Sequence, residues 1–364
     1  MSKSGHSRTG IAMLLVLVLV VVASVLGMSY LSVTTVKLAG STNLLRASRA
    51  RYLAESGLLH GLYLLRTDSP LLCGVDAHNP LGPYHADGSD DAYVLYSEPV
   101  GVLTYRLTAK GTCRGLTRTS SLTARLYSTY RDKLKSLGPL AYWRLGELSG
   151  PVADDCVASN DGTYENGVAL GQPGAVCGDL DAAARFDGQN DYVDLGKLDV
   201  GGSKLTILAW FKAEDFAVAD GRIISKAIGL DNGLHYWMIS TIAVNEDMRL
   251  RFRLRTSGLT TYLVATSGNL VADKWTFAAA TYDGAYMTLY KDGEDVGNRP
   301  KSGSIDTSSI TPVWIGSNPP GEPMRPFHGL IDEVVILGSC LSQDQIQSLN
   351  GARIASVKIL SWDR

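Results

Sequence analysis

The hydrophobic pattern divides the chain into a long helical stretch, a short alternating stretch and a longer alternating stretch. Met1–Gly10 is polar and carries Lys3, His6 and Arg8, and Ile11–Leu31 is then almost wholly apolar. About twenty such residues cross the hydrocarbon core of a bilayer as a helix. The helical spacing continues beyond it. Leu38, Leu45, Tyr52, Leu53, Leu58, Leu59, Leu62 and Leu65 recur at three- and four-residue intervals, with Lys37, Arg46, Arg49, Arg51 and Glu55 on other faces. This predicts one helix that leaves the membrane and becomes amphipathic. Gly40, Gly57 and Gly61 weaken it without forbidding it.

Residues 68–88, rich in Pro, Gly, Asp and His, read as a loop, and His78 and His85 read as solvated loop histidines. Period-two alternation follows at Tyr93–Tyr96, Val102–Ala109 and Thr119–Tyr127, with a turn at Lys110-Gly111. From Leu140 to Asn350 nearly every signal is a strand bounded by a turn. Ser342 to Gln345 is the exception, a capping box ahead of a short helix. The expected fold is mainly β. It has a long N-terminal transmembrane helix, a small β head and a two-sheet antiparallel jelly-roll sandwich. The expected segments are a leader at 1–10, the helix at 11–67, the head at 68–131, a linker at 132–139, the sandwich at 140–350 and a tail at 351–364.

Charge adds little to this picture. Charged residues make up 19% of the chain and the net charge is −2, so nothing points to a nucleic-acid partner. The basic residues ahead of the apolar run predict a cytoplasmic N-terminus, with the bulk of the chain on the other side of the membrane. A secretory signal peptide is the alternative. The apolar run is longer than an ordinary signal core, and no small-residue cleavage site follows. The five cysteines form no close pair that suits zinc. In an exported chain, wide spacing favours disulfides. Cys73 with Cys113 and Cys156 with Cys177 each fall within one expected domain, leaving Cys340 as a buried free thiol.

Arg8-Thr9-Gly10, Ile11 to Leu15, and Arg51-Tyr52-Leu53-Ala54-Glu55-Ser56-Gly57 resemble the N-termini of type IV pilins and type II secretion pseudopilins. The likeness is to PilX-type minor pilins and K-type minor pseudopilins. It covers about the first 65 residues. It implies cleavage by a prepilin peptidase between Gly10 and Ile11, and other pilin or pseudopilin subunits as partners. Two positions depart from the family. Ile11 stands where Phe is usual, and Leu15 stands where the family carries its glutamate. A carboxylate inside a bilayer is costly unless paired, and the absence of one here favours a minor or tip subunit.

Six runs from Ala141 to Val334 resemble, in order, the laminin G-like, concanavalin A-like jelly-roll family. They include Ala141-Tyr142-Trp143-Arg144-Leu145-Gly146-Glu147, Ala184-Arg185-Phe186-Asp187-Gly188, Leu205 to Phe211, and His328 to Val334. The resemblance implies a fold that mainly binds carbohydrate or protein and often holds a structural calcium. Asp332, met by Glu147 and Asp187, is the expected calcium set, with turn and strand-edge hydrogen bonds as the alternative role. Arg249, Arg251, Arg253 and Arg255 alternate with Leu250, Phe252 and Leu254. They form one face of a strand that suits an acidic glycan, with Tyr236 stacking on a sugar, or else a solvated outer face. Trp143, Trp210, Trp275 and Trp314 read as core. The acidic pairs Glu214-Asp215, Glu246-Asp247 and Asp332-Glu333 are adjacent along the chain. On a regular strand they diverge, so no glycosidase pair is expected and the chain reads as a non-enzyme. A protein-contact module and a membrane-tethered polysaccharide-active enzyme are the alternatives to a glycan- or protein-binding display module.

Overall fold

The computed structural model describes residues 7–67, 79–86, 88–319 and 325–363, with side chains from Leu15 onward. The chain folds into two compact units. One comprises the helix to Leu65, the residues up to Arg125 and the chain end from Ile359; the other runs from Leu126 to Lys358 with Arg66 and Thr67.

In the first unit, helix α1 spans Ser7–Arg66 without interruption. Its most apolar 18 residues within Leu15–Arg66 are unburied and have a mean hydropathy of 2.5, and the helix is long and apolar enough to cross a membrane. Further along, Ala50, Leu53, Ala54 and Leu58 are buried against a sheet. The sheet runs in the order β1 (Leu81–His85), β2 (Ala92–Gly101), β3 (Thr104–Cys113), β4 (Leu116–Tyr127), then the last strand of the chain, Ser356–Asp363. Three expectations are corrected here. The loop at 68–88 contains β1. The tail at 351–364 supplies a strand. No turn occurs at Lys110-Gly111, because β3 continues to Cys113 and turns at Arg114-Gly115, both of positive φ. Gly111 is needed for space instead. An added Cβ would fall on the Ala50 carbonyl oxygen and lie 2.5 Å from the Ala54 nitrogen. Gly57 does the same from the helix side, where a Cβ would meet Ala109 and the Tyr93 ring at 2.8 Å. These glycines let the helix and sheet approach closely.

The second unit begins with helix α2 (Tyr130–Ser136), where a linker was expected. Tyr130 and Leu134 are fully buried, which a linker would not allow. The strands are β5 (Ala141–Trp143), β6 (Val152–Ala153), β7 (Gly162–Glu165), β8 (Ala169–Pro173), β9 (Ala182–Asp187), β10 (Tyr192–Asp194), β11 (Leu205–Ala213), β12 (Arg222–Ala227), β13 (His235–Val244), β14 (Asp247–Thr256), β15 (Leu259–Val264), β16 (Thr276–Tyr282), β17 (Tyr286–Lys291), β18 (Glu294–Pro300), β19 (Val313–Ile315) and β20 (His328–Leu337). They form two antiparallel sheets. One is ordered β15-β14-β13-β12-β19-β10-β7-β6. The other is ordered β18-β17-β16-β11-β20-β9-β8, with β5 paired to β20.

Alternation along the strands puts Trp143, Phe186, Ile207, Phe211, Phe252, Tyr282 and Ile336 between the sheets. The β11 sheet is buried on its outer side too. Leu208, Trp210, Phe277 and Val335 pack there against Tyr130 and Leu134 of α2 and Ile346 and Leu349 of helix α3 (Gln343–Gly351). Ser342 and Gln345 cap α3 reciprocally, as the sequence predicts.

The disulfides expected from spacing are not made by the described cysteines. Cys73 lies outside the described residues. Cys113 is a free, buried thiol that donates to Asp91 Oδ2 at 3.4 Å. No bond joins Cys156 to Cys177; the Cys156 nitrogen donates to the Tyr142 carbonyl and the Cys177 nitrogen to the Arg353 carbonyl. Cys340 is a free, half-buried thiol.

Candidate functional site

Two charged clusters in the jelly-roll unit carry unsatisfied polar atoms. The first is acidic and grows from an irregularity in β20. Leu208 pairs with Val335, but Trp210 pairs with Asp332, so β20 has one residue too many between them. The excess is taken up at Glu333, whose φ is +54°. Such a bulge breaks the alternation of a strand. Ile331 and Val334 both face the core, and Asp332 and Glu333 share the outer side.

There they meet Asp181, with one oxygen of each carboxylate within 4.8 Å of the others. Both β20 carboxylates are almost fully buried, Asp332 at 2% exposure and Glu333 at 1%. Arg144 is their cation. It donates to Glu333 Oε1 through Nε at 3.1 Å and Nη2 at 3.0 Å, and to Asp179 Oδ2 at 2.8 Å. The Tyr142 hydroxyl donates to Glu333 Oε2. Asp332 Oδ2 accepts from the Ala175 nitrogen at 2.7 Å, while Asp332 Oδ1 has no hydrogen-bond donor and Asp181 Oδ2 has only the ion-pair contact of Arg144 Nε at 2.9 Å. Gly146 leaves room for this arrangement, because a Cβ there would fall on the Asp181 carboxylate.

Four carboxylates around one guanidinium leave excess negative charge in a desolvated place. Burial pushes Asp332 far above the ordinary carboxylate range, Glu333 to about 7 and Asp181 to about 6, with neighbouring carboxylates adding to each. The orphaned oxygens and the all-oxygen donor set fit a hard cation such as calcium. Asp181, Asp332 and Glu333 would hold it. The expected set is thus corrected in two members. Glu147 lines the same open cleft as Asp181, Arg144 and Asp154, but its oxygens accept from the Asp154 nitrogen at 2.9 Å and the Tyr164 hydroxyl at 2.6 Å. Asp187 lies at the far end of β9 opposite His328, where its Oδ1 accepts from the Gln189 nitrogen at 2.8 Å and closes a turn. Sequence reasoning missed Asp181 and Glu333, and only the bulge at Glu333 could have brought the second into view.

The second cluster is basic and lies on the outer face of β12, β13 and β14. The arginines of β14 do alternate with core residues, but their face is covered, and this corrects the solvated-face reading. Arg249 pairs with Asp247 at 2.7 Å and Arg255 with Asp306 at 3.0 Å. Arg251 and Arg253 are over nine-tenths buried. Arg251 reaches Ser240 Oγ at 3.2 Å and Asp220 at 3.1 Å. Arg253 meets only the His235 ring, at 3.1–3.2 Å, and its Nε has no partner. Arg222 of β12, 1% exposed, joins them and donates to Asn318 at 3.1 Å. Burial lowers Arg222 to about 9 and Arg253 to about 10. Tyr236 is stacked under Arg255 at 5.3 Å, so one ring face already carries a cation. Trp314, expected in the core, lies on this outer face and stacks on Tyr192 at 3.8 Å. Trp143 and Trp210 are core as expected.

His235 offers a test of this cluster. Burial, then the Arg253 guanidinium, lowers its pKa to about 3. The unfolded imidazole titrates near 6.5, so between about pH 6.5 and 3 the unfolded state takes up a proton that the fold refuses. Stability from this group is complete above pH 6.5 and falls by about 1.4 kcal/mol per unit as pH drops through that window. Urea unfolding at pH 6.5 and 4.5 should therefore cost wild type roughly 2–3 kcal/mol more than His235→Gln. Equal losses would mean that His235 protonates within the fold.

Comparison with known proteins places this unit. Residues 187–347 match the model of the concanavalin A-like lectin/glucanases superfamily. The adhesion G-protein coupled receptor V1 of Danio rerio is 29% identical over 152 residues, 41% of this chain and 2% of the receptor, so the match spans a small piece of that protein. Among solved structures, domain 4 of an extracellular arabinanase from Geobacillus stearothermophilus, solved with arabinotriose, is 19% identical at a TM-score of 0.38, covering 62% of this chain and 98% of that one. The ligand-binding domain of botulinum neurotoxin serotype D, solved with N-acetylneuraminic acid, is 13% identical at 0.44, covering 60% and 52%. The SAP-like pentraxin of Limulus polyphemus is 16% identical at 0.37, covering 46% and 80%. Over residues 187–347 the second unit is thus similar to laminin G-like, concanavalin A-like proteins, on a fold that is a jelly-roll sandwich.

Proposed function

We propose that this is a single-pass, pilin-like membrane protein that displays the jelly roll outside the cytoplasm as a carbohydrate- or protein-binding module. The observation that carries the reading is helix α1. From Leu15 the helix is apolar and unpacked, and from Ala50 it packs on a small sheet, so one element serves as both anchor and scaffold. Cleavage between Gly10 and Ile11 by a prepilin peptidase, and docking beside other pilin or pseudopilin subunits, belong to this reading. So does a calcium ion at Asp181, Asp332 and Glu333, which would brace the domain rather than take part in chemistry. Catalysis is not part of it.

The test is intact mass of the protein recovered from membranes of a host with and without the peptidase. A mature chain starting at Ile11 supports the pilin-like part, and retention of Met1 in both hosts removes it. A glycan array probed with the detergent-solubilised chain, in calcium and in EDTA, tests the binding part. Release of reducing ends from any bound polysaccharide would replace the binding module with an enzyme.

A further inference from the structure

Among the described residues, the basic cluster has more cations than its neighbourhood balances. Asp220 is the one carboxylate that three guanidiniums share. Arg222 Nη1 lies 3.3 Å from it, Arg251 Nη2 3.1 Å and Arg325 Nε 3.2 Å. Arg253 has no carboxylate partner among the described residues. Its nitrogens face His235, which is fully buried and neutral at ordinary pH, and its buried Nε donates to nothing. Placing four guanidiniums around one carboxylate inside a protein is unfavourable unless further negative charge arrives. Arg325 is 42% exposed and Asp220 20%, so the cluster opens to solvent on that side.

We propose that Arg222, Arg251, Arg253 and Arg325 bind a carboxylate or sulfate group borne by a polysaccharide, with Asp220 as the internal group that the ligand partly displaces. The inference rests on the binding-module reading and names its ligand class. Planar guanidiniums pair with such oxyanions through two parallel hydrogen bonds. The buried Arg253 Nε supplies a donor, and Arg325 at the mouth is the first contact. The Asn318 amide oxygen, bonded to Arg222 and His235, holds the floor of the site.

The test uses the full chain in detergent with three probes: inorganic sulfate, a sulfated oligosaccharide, and the same oligosaccharide without sulfate. The sulfated form is expected to bind, and more weakly as salt rises. Arg325→Gln, an exposed change that spares the fold, is expected to weaken it about tenfold. Asp220→Asn is the decisive variant. As an anion site, the cluster then binds the sulfated form more tightly, and the ligand raises the variant's melting temperature more than wild type's. As a merely structural network, the variant melts lower and the ligand restores nothing, which overturns the inference. Equal binding of both oligosaccharides, unaffected by Arg325→Gln, overturns it while leaving the binding module standing. No binding of either overturns the inference and leaves the binding module to the glycan array. Inorganic sulfate binding as tightly as the sulfated oligosaccharide overturns the assignment to a polysaccharide.

Discussion

Arg144→Met should destabilise the jelly-roll unit by about 3–5 kcal/mol in EDTA, and added calcium should return much of that loss. The first half follows from the surroundings of Arg144. Its guanidinium, 12% exposed, touches Glu333, Asp179 and Asp181. Removing one partner of a buried ion pair strands the other charge, at about 3–5 kcal/mol. A unit of this size loses about 2–4 °C per kcal/mol, so the melt should fall by roughly 10 °C. The second half follows from the orphaned oxygens. Asp332 Oδ1 accepts from no donor and Asp181 Oδ2 loses its Arg144 contact, and a hard cation satisfies them and the carboxylate that Arg144 leaves behind. A ligand at a hundred times its dissociation constant stabilises by about 2.7 kcal/mol. Asp332→Asn in the same background should lose the calcium response. If calcium leaves the Arg144→Met melt where EDTA leaves it, the cluster is a network of protonated carboxyls and the cation reading fails.

How much of this was legible depends on whether a signal was local. The long apolar helix, the strands of the sandwich and the α3 cap were legible because periodicity and capping chemistry are properties of neighbouring residues. The alternation of β14 placed Leu250, Phe252 and Leu254 in the core correctly. It could not say what covers the other face, because Asp220, Asn318 and Arg325 come from distant parts of the chain. The acidic cluster failed for a sharper reason. Adjacent carboxylates diverge on a regular strand, and Asp332-Glu333 read that way. One left-handed residue, Glu333 at φ +54°, turns both to one side, and no composition signal marks a bulge at a non-glycine residue. Asp187 read as a ligand because it sits in a family run, yet its carboxylate closes its own turn. The spacing of the cysteines carried no geometry at all.

Gly111→Val should detach helix α1 from its sheet while leaving the jelly-roll unit intact. Lys110-Gly111 reads as a turn in the sequence, yet the glycine sits in mid-strand, paired with Tyr93 and Arg118 across β2 and β4. Its lack of a side chain is what the helix requires. The Cβ of any other residue would fall on the Ala50 carbonyl, 2.5 Å from the Ala54 nitrogen and 2.8 Å from Leu53 Cβ. All are helix backbone or its first side-chain atom, so no rotamer change relieves the clash. Relief means lifting the helix, which exposes Ala50, Leu53, Ala54 and Leu58 and the Leu95, Leu107 and Ala109 surface beneath them. Overpacking alone costs about 1–3 kcal/mol, and a backbone clash in a closely packed interface lies at the top of that range or above it. Five of the six tryptophans, Trp143, Trp210, Trp237, Trp275 and Trp314, belong to the other unit, while Trp362 lies in the last strand of this sheet, so the melt of the jelly-roll unit should be unchanged and the near-ultraviolet dichroism should change only by the Trp362 contribution. Limited proteolysis, by contrast, should cut α1 between Ala50 and Arg66 in the variant and not in wild type. A protected helix in Gly111→Val would mean that the sheet yields instead, and that the close approach at Ala50 is not what fastens the scaffold half of the helix.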